Sequence, residues 1–477
     1  MSHTRIIIII FSFLFFSAGV FAQPKVDGHW EGAITLFGND LGIKVNLKTD
    51  PDSIRGTIDI PQQNAKDRNL IHIQLVLNKF SFDLPVKPSG ATFDGIIKDD
   101  SITGSFAQAS FKGTFYLIRG ELKQEENTPG PDTAQMLLPY DEQEVMFTNG
   151  ENKFAGTLTL PRTQGKHPAV VMITGSGPQN RDEEILGFKP FRIIADNLTR
   201  SGIAVLRYDD RGVGGSTGKT VAESTTEEFA GDVIEAVKYL KTRDDINPDQ
   251  IGLCGHSEGG VIAPMVASKY NVSFIVLIAG TGVMGIDILK EQSKLIMKAD
   301  SATDEEVNGY TKMLDMVYDA VKNDKGWDEI KIRFRESMER SYKKMTKEQK
   351  KSVGSKEQYV NGMTDLTMSE FTSPWMQYFM TYDPYPALTK VTCPVLALFG
   401  GKDMQVPVKQ NEKPLRDALT KAGNKDFTIK TFPDANHLFQ QAKTGNPVEY
   451  ATLPKEFLPG FLDEISGWVT QHVGIVK

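Results

Sequence analysis

From about Trp30 to Leu117 apolar and polar residues alternate with a period of two. The runs Ile43-Lys44-Val45-Asn46-Leu47-Lys48, Ile71-His72-Ile73-Gln74-Leu75 and Phe111-Lys112-Gly113-Thr114-Phe115 each send one set of side chains to a core and the other to solvent. Turn-forming pieces separate them at near-regular intervals, among them Gly38-Asn39-Asp40, Thr49-Asp50-Pro51-Asp52 and Lys98-Asp99-Asp100. Short alternating strands with frequent turns predict a small antiparallel β barrel or sandwich over residues 23–119. The polar, Pro- and Gly-rich stretch from Gly120 to Asp132 reads as the core of a linker, residues 120–137.

Beyond Leu138 the pattern changes. Two strands, Glu142–Thr148 and Lys153–Leu160, open a second domain, residues 138–477. Wholly apolar strands then alternate with amphipathic segments: strand Ala169–Thr174, helix Phe191–Arg200, strand Ile203–Arg207, helix Thr226–Lys241. An apolar run ending at Gly255 follows, then strands Ser273–Ala279, Val395–Phe399 and Phe427–Thr431. Apolar strands alternating with helices predict an α/β fold, a mostly parallel sheet covered on both faces. The strand signal stops between Met284 and Met380, where the periodicity is helical. This insert, about 283–381, reads as a helical cap over one sheet edge. It holds ten of the 16 methionines, and soft, adaptable side chains of this kind suit either a site for varied apolar groups or the cap's own core.

The N-terminus has a different grammar. Arg5 precedes the apolar run Ile6–Phe16, and Ser17-Ala18-Gly19-Val20-Phe21-Ala22 follows. A basic n-region, a short h-region and small residues at a cleavage site predict a signal peptide, residues 1–22, and an exported protein, periplasmic or secreted. The run is shorter than the roughly 20 residues a spanning helix needs, so no stable membrane anchor is expected. The net charge of −7 and the absence of a long basic block argue against a nucleic-acid partner. Export makes disulfides possible, but Cys254 falls at the C-terminal end of one predicted strand and Cys393 at the start of another. In a parallel sheet such ends are about 15 Å apart, against the roughly 7 Å between Cα atoms that a disulfide tolerates. Both are expected to be unpaired, buried thiols.

Chemistry concentrates at Gly255-His256-Ser257-Glu258-Gly259-Gly260. A serine between a strand end and a helix start sits in a sharp turn that holds its hydroxyl in the open, and the flanking glycines admit the tight backbone. The N–H that follows it lies at a helix N-terminus, where negative charge is stabilised. Such a serine needs a base, and the chain has seven histidines. His3 falls in the leader, His29 and His72 in the β domain without an acidic or cysteine partner at metal spacing, His167 before a strand, and His472 in the C-terminal tail. His256 adjoins the serine, but adjacent side chains diverge. His437 follows the last predicted strand, where a loop can reach over the sheet. Asp403, in Gly400-Gly401-Lys402-Asp403, also follows a strand and is the candidate for orienting the imidazole. Asp434 is the rival acid, though its nearness to His437 in sequence disfavours it. The candidate oxyanion donors are the main-chain N–H groups of Glu258 and of Ser176, the latter in the loop Gly175-Ser176-Gly177-Pro178.

The order Ser257, Asp403, His437 resembles the α/β-hydrolase superfamily, and more closely its serine-aminopeptidase-like carboxylesterase branch with an N-terminal β domain. The resemblance runs from about Pro139 to His472 and includes Ile173-Thr174-Gly175-Ser176-Gly177-Pro178-Gln179-Asn180-Arg181-Asp182 and Arg207-Tyr208-Asp209-Asp210-Arg211-Gly212-Val213-Gly214-Gly215-Ser216. Thr174 departs from the histidine that many relatives carry before the oxyanion glycine. The resemblance implies a Ser-His-Asp acyl-enzyme mechanism with no metal or cofactor, acting on a small-molecule ester. Asp209-Asp210-Arg211 reads as a structural brace. An aminopeptidase of the same fold is the alternative, and it needs an acidic cluster for a substrate ammonium, for which Asp304-Glu305-Glu306 and Asp328-Glu329 are candidates. A non-catalytic binding protein is the third reading, disfavoured by the complete set of three side chains.

Overall fold

A computed structural model describes residues 26–120, 138–347, 350, 355–450 and 452–475, apart from 37–38, 51–52, 61–64, 77, 86–89, 99 and 109–110. The predicted leader and nearly all of the linker lie outside the described residues. Two compact units emerge, one formed by Ala134–Lys344 with Thr367–Lys477, the other built on the N-terminal strands together with Met345–Leu366. A stretch of the helical insert therefore groups with the N-terminal unit.

That unit contains nine antiparallel strands: β1 (Gly28–Leu36), β2 (Asn39–Asp50), β3 (Ser53–Ile60), β4 (Ala65–Asn69), β5 (Ile71–Val76), β6 (Lys79–Leu84), β7 (Ala91–Lys98), β8 (Ser101–Gln108) and β9 (Phe111–Arg119). The sheet order is β4-β3-β2-β1-β9-β8-β7-β6-β5. Each strand thus pairs with its sequence neighbour and β9 returns to β1, leaving a near-barrel open along one seam, between β4 and β5. Leu70 alone connects those two strands, and its N–H donates to Gly56 O at 2.9 Å. The period-two pattern puts Trp30, Val45, Phe80, Phe82, Phe93 and Phe115 inside. Phe82 stacks on Phe93 at 4.4 Å and Phe115 meets Phe93 edge-on at 5.2 Å, so side chains fill the interior. His29 and His72 each have one carboxylate partner: His29 Nε2 lies 3.0 Å from Glu31 and His72 Nδ1 2.7 Å from Asp83. Each meets one carboxylate on a strand surface, and no three-residue metal cluster occurs among the described residues.

The second unit carries an eight-stranded sheet: β10 (Tyr140–Asn149), β11 (Asn152–Pro161), β12 (His167–Ile173), β13 (Ala204–Tyr208), β14 (Ile246–His256), β15 (Ile275–Ile278), β16 (Val395–Gly400) and β17 (Phe427–Phe432). Its order is β10-β11-β13-β12-β14-β15-β16-β17. The β10–β11 and β11–β13 pairs are antiparallel and all later pairs parallel. Strands β12, β13, β15 and β16 are buried throughout and β14 from Ile251 to His256, which is why they read as apolar runs rather than alternating ones. The chain leaves β12 for β13 on one side and comes back to β14 on the other. This reversal makes the C-terminal edge at β12 and β14 the crevice where open sheets bind ligands.

Helix α1 (Pro190–Arg200) starts with Pro at N1 and buries Phe191, Ile194, Ala195 and Leu198, one helical stripe. Helix α2 (Thr226–Lys241) opens on a capping box: Thr225 Oγ1 accepts from Glu228 N at 3.2 Å, and Glu228 Oε2 accepts from Thr225 N at 2.9 Å. Helix α3 (Gly259–Ala267) follows the serine. The cap adds α4 (Gly285–Ala299), α5 (Asp304–Asn323), α6 (Trp327–Lys344), α7 (Lys356–Phe371) and α8 (Pro374–Thr381). The remaining helices are α9 (Tyr385–Leu388), α10 (Val408–Lys421) and α11 (Phe461–His472). Met284, Met313, Met316, Met368, Met376 and Met380 all join the cap's own hydrophobic cluster, so six of the insert's ten methionines pack the cap itself. Cys254 is buried in β14, whereas Cys393 is only half-buried, because it precedes β16 at the open end of the strand; both are free thiols. Burial raises the Cys393 thiol to a pKa of about 11.

Candidate active site

Loops from the C-terminal ends of β12, β14, β16 and β17 carry every predicted site residue. Ser257 follows β14 with φ +52°, a left-handed backbone that costs a non-glycine residue roughly 1–2 kcal/mol. The surroundings hold that conformation. Ser257 N–H donates to Ile278 O at 2.8 Å and Ser257 O accepts from Gly260 N at 2.9 Å. A Cβ on Gly255 would stand 2.1 Å from Gly259 O, and one on Gly259 would stand 2.1 Å from Ile173 O. These glycines are required for close approach of the backbone, in addition to the turn itself.

His437 Nδ1 lies 2.8 Å from Asp403 Oδ2, and both side chains are buried. Asp403 Oδ1 accepts from Gln405 N at 2.7 Å and Val406 N at 2.9 Å, so the carboxylate is fully engaged. Burial alone would raise the Asp403 pKa; the histidine and the two N–H donors outweigh it and leave the carboxyl below its ordinary value. The hydrogen-bond network assigns the Nδ1 proton of His437 to Asp403, which leaves Nε2 as the free acceptor. No hydrogen bond joins Ser257 Oγ to His437 Nε2 among the described residues, an arrangement common before substrate tightens a site. The loop bearing His437 is ordered by Asn436, whose Oδ1 accepts from Leu438 N and Gln440 N at 3.0 and 2.9 Å. Asp434, the rival acid, instead pairs with Lys402 at the surface, 2.9 Å away.

The glycine-rich loop after β12 is pinned from several directions. Gly175 N–H donates to Glu183 Oε1 at 2.6 Å. Thr174 Oγ1 and Gln179 N–H donate to the two oxygens of Asp210 at 2.7 and 2.8 Å. Crowding by protein pushes Asp210 well above the usual carboxylate range, and the negative neighbours Glu183 and Glu258 add to the rise. The main-chain N–H groups of Ser176 and Glu258 have no hydrogen-bond partner among the described residues. Asp209 accepts from Arg181 N and its guanidinium and from Gly215 N, and Arg211 pairs with Asp232 of α2 at 2.6 Å. The Asp209-Asp210-Arg211 stretch is therefore a brace for these loops, as its sequence reading holds.

Two features escaped the sequence. Glu183 pairs with His256 Nδ1 at 2.9 Å, and His256 Nε2 reaches His437 O at 3.0 Å, so the histidine beside the serine serves as a strut. Glu258 is only 2% exposed, and its carboxyl takes Thr226 Oγ1 at 2.7 Å and Trp375 Nε1 at 3.0 Å. Burial raises the Glu258 pKa, and hydrogen bonds from Thr226, Trp375 and Ser176 only partly offset it. The acids suggested for a substrate ammonium lie at exposed helix starts. Asp304 pairs with Lys298, Glu306 caps its own helix at Thr303, and Glu329 pairs with Arg333 one turn on. They are solvated N-terminal turns and form no cluster.

The profile described as "Serine aminopeptidase, S33" matches residues 189–314, and that of the prolyl oligopeptidase family matches residues 357–458. Esterase EstD of Thermotoga maritima is 27% identical over 461 residues, 95% of each chain. A putative hydrolase, YtaP, of Bacillus subtilis is 31% identical over 135 residues, 25% of this chain and 45% of its own. Among solved structures, an esterase of Pyrococcus furiosus aligns with a TM-score of 0.42 at 15% identity, covering 73% of this chain and 93% of its own. The esterase Est1E of Butyrivibrio proteoclasticus aligns with a TM-score of 0.38 at 14% identity, covering 69% and 99%. These matches support an α/β-hydrolase, esterase-like family for this chain. It is a hydrolase enzyme, with an N-terminal antiparallel near-barrel joined to the α/β unit.

Proposed function

We propose that this enzyme is an exported serine hydrolase that cleaves small or short-chain carboxylic esters through an acyl-enzyme. The observation that carries this reading is the 2.8 Å bond from buried His437 to buried Asp403, beside a serine held at positive φ on the same sheet edge. His437 Nε2 takes the Ser257 proton as Oγ attacks the ester carbonyl, and the same proton passes to the departing alkoxide. Water, deprotonated by His437, then releases the acid and restores Ser257. Asp403 fixes the imidazole tautomer and stabilises the cation that forms at each step. The N–H groups of Ser176 and Glu258 face the carbonyl oxygen as it gains charge. Similarity to a named esterase over almost the full chain supports an ester as substrate. Export rests on the basic, apolar and small-residue order of residues 1–22.

The test is hydrolysis of p-nitrophenyl acyl esters alongside aminoacyl-nitroanilides, with labelling by a fluorophosphonate. Ester turnover with label on Ser257 is the expected result. Faster cleavage of the anilides would favour the aminopeptidase reading, which the match to the serine aminopeptidase profile also supports. Absence of both activities and of label would remove the mechanism. Export is tested separately, by determining the N-terminus of the protein recovered from the cell envelope or medium; an N-terminus near Gln23 is expected.

A further inference from the structure

The carboxyl of Glu258 joins parts of the fold that have no other reason to meet. Glu258 follows the candidate nucleophile, and its own N–H is one of the two candidate oxyanion donors. Its side chain accepts from Thr226 Oγ1 at the start of α2 at 2.7 Å and from Trp375 Nε1 at 3.0 Å to each oxygen. Trp375 belongs to the cap, in the first turn of α8, where Ser373 caps the helix by accepting from Met376 N at 3.2 Å. One turn further on the same face stands Tyr378, whose hydroxyl pKa is raised by burial and by the charge of Glu227, the neighbour of Thr226. Met376 and Met380 face the other way, into the cap cluster with Leu314 and Phe334. Helix α4 presses on α8 so closely that a Cβ on Gly285 would stand 1.9 Å from Phe379 O. Helix α8 is thus packed rigidly to the cap on one side and hydrogen-bonded to the elbow on the other.

We infer that Trp375 is a positioning residue for the hydrolytic reaction: through the Glu258 carboxyl it aligns the Glu258 N–H, so that seating of the cap sets this candidate oxyanion donor. The inference rests on the serine-hydrolase reading. An apolar wall would need only the indole's surface, but Trp375 directs its single N–H at the buried carboxyl of the residue whose main chain supplies a candidate oxyanion donor. When that bond is absent, the carboxyl remains tied to Thr226 but loses its tie to the cap. Misplacing a catalytic group by a fraction of an ångström to one ångström lowers rates by up to about a hundredfold.

The experiment compares Trp375→Phe, which keeps an aromatic ring and removes the donor, with Thr226→Val, which removes a donor to the same carboxyl from the core side. Steady-state kinetics on a short-chain p-nitrophenyl ester are combined with inhibition by a short-chain alkyl trifluoromethyl ketone, whose serine adduct carries the oxyanion. Trp375→Phe is expected to lower kcat about tenfold or more with little change in KM, and to weaken the ketone by a similar factor. Adding Glu258→Gln to Trp375→Phe should cost little further, because both act through one group. Two results overturn the inference: kcat and ketone inhibition within about twofold of wild type in a folded Trp375→Phe protein, or losses in the double variant that multiply. If Trp375→Phe does not fold, Thr226→Val decides by the same two readouts. Failure of the serine-hydrolase reading looks different, since the unaltered enzyme would then neither turn over the ester nor bind the ketone.

Discussion

Glu183 holds His256 by a 2.9 Å hydrogen bond to Nδ1, and the same carboxylate oxygen accepts the Gly175 N–H at 2.6 Å. One oxygen therefore ties the glycine loop after β12 to the residue before Ser257, while His256 Nε2 reaches the carbonyl of His437. Burial would lower the His256 pKa, but the charge and hydrogen bond of Glu183 raise it overall. Three separate loops are set relative to one another by this carboxylate–imidazole pair. Glu183→Ala leaves a buried N–H and a buried ring nitrogen unpaired, each costing roughly 1–3 kcal/mol. It should lower the denaturation midpoint and reduce kcat together, as read by urea unfolding and steady-state kinetics. An unchanged kcat in a folded Glu183→Ala protein would show that the loops keep their places without it.

The two aspartates near His437 should separate cleanly. Asp403→Asn removes the charge bonded to Nδ1 and favours the wrong tautomer, a change worth about 10⁴ in kcat in a comparable triad. Ser257→Ala should lose on the order of 10⁶ and all fluorophosphonate labelling. Asp434→Asn breaks only the surface pair with Lys402 and should keep activity near that of the wild type, since exposed ion pairs are worth about 0–1 kcal/mol. Because Asp403 is held below its ordinary pKa, its carboxylate should stay ionised across the neutral range of the kcat/KM profile.

Asp210 supplies a pH test with a definite sign. Its folded-state pKa is raised well above the ordinary value, so between about 3.9 and that raised pKa the folded chain binds a proton that the unfolded chain has released. Stability from this group is full below the unfolded pKa and is lost as pH rises through the folded one. Asp210→Asn abolishes that loss and can keep both bonds, accepting from Gln179 N and donating to Thr174 Oγ1. Urea midpoints measured from acid to alkaline pH should show the variant gaining on the wild type as pH rises, then levelling. A constant difference across that range would remove Asp210 as the cause.

Much of this site was legible because its signals are local. The predicted helix Thr226–Lys241 coincides with α2, whose capping box and apolar stripe lie within its own sequence. Ser257 stands out through glycines that its turn and close contacts demand, and His437 and Asp403 through their places directly after strands. Glu183 and Trp375 had no comparable signal. Their partners lie 73 and 117 residues away, and a carboxylate in a loop or a tryptophan in a cap helix has no spacing that announces such a contact. His256 was set aside because its side chain diverges from that of Ser257. It does diverge, and that direction carries it to Glu183 and the His437 carbonyl.

Substrate size follows from the cap. The helices between Gly285 and Thr381 bring Trp375 to the elbow, and Trp375 stacks on Phe379 at 5.9 Å. On the proposed reading, an acyl chain held at Ser257 packs against this apolar and aromatic surface of the cap. Each methylene it buries adds roughly 0.8 kcal/mol, close to fourfold in kcat/KM where the gain is realised in the transition state. The gain ends when the enclosed space is full, because a packed interior resists an added methylene by about 1–3 kcal/mol. Across p-nitrophenyl esters, efficiency should rise from acetate, peak at a short or medium chain, and fall beyond it. A continuous rise through long-chain triglycerides would instead require an open groove along the cap, and the placement of α8 against the elbow would then have to change during turnover.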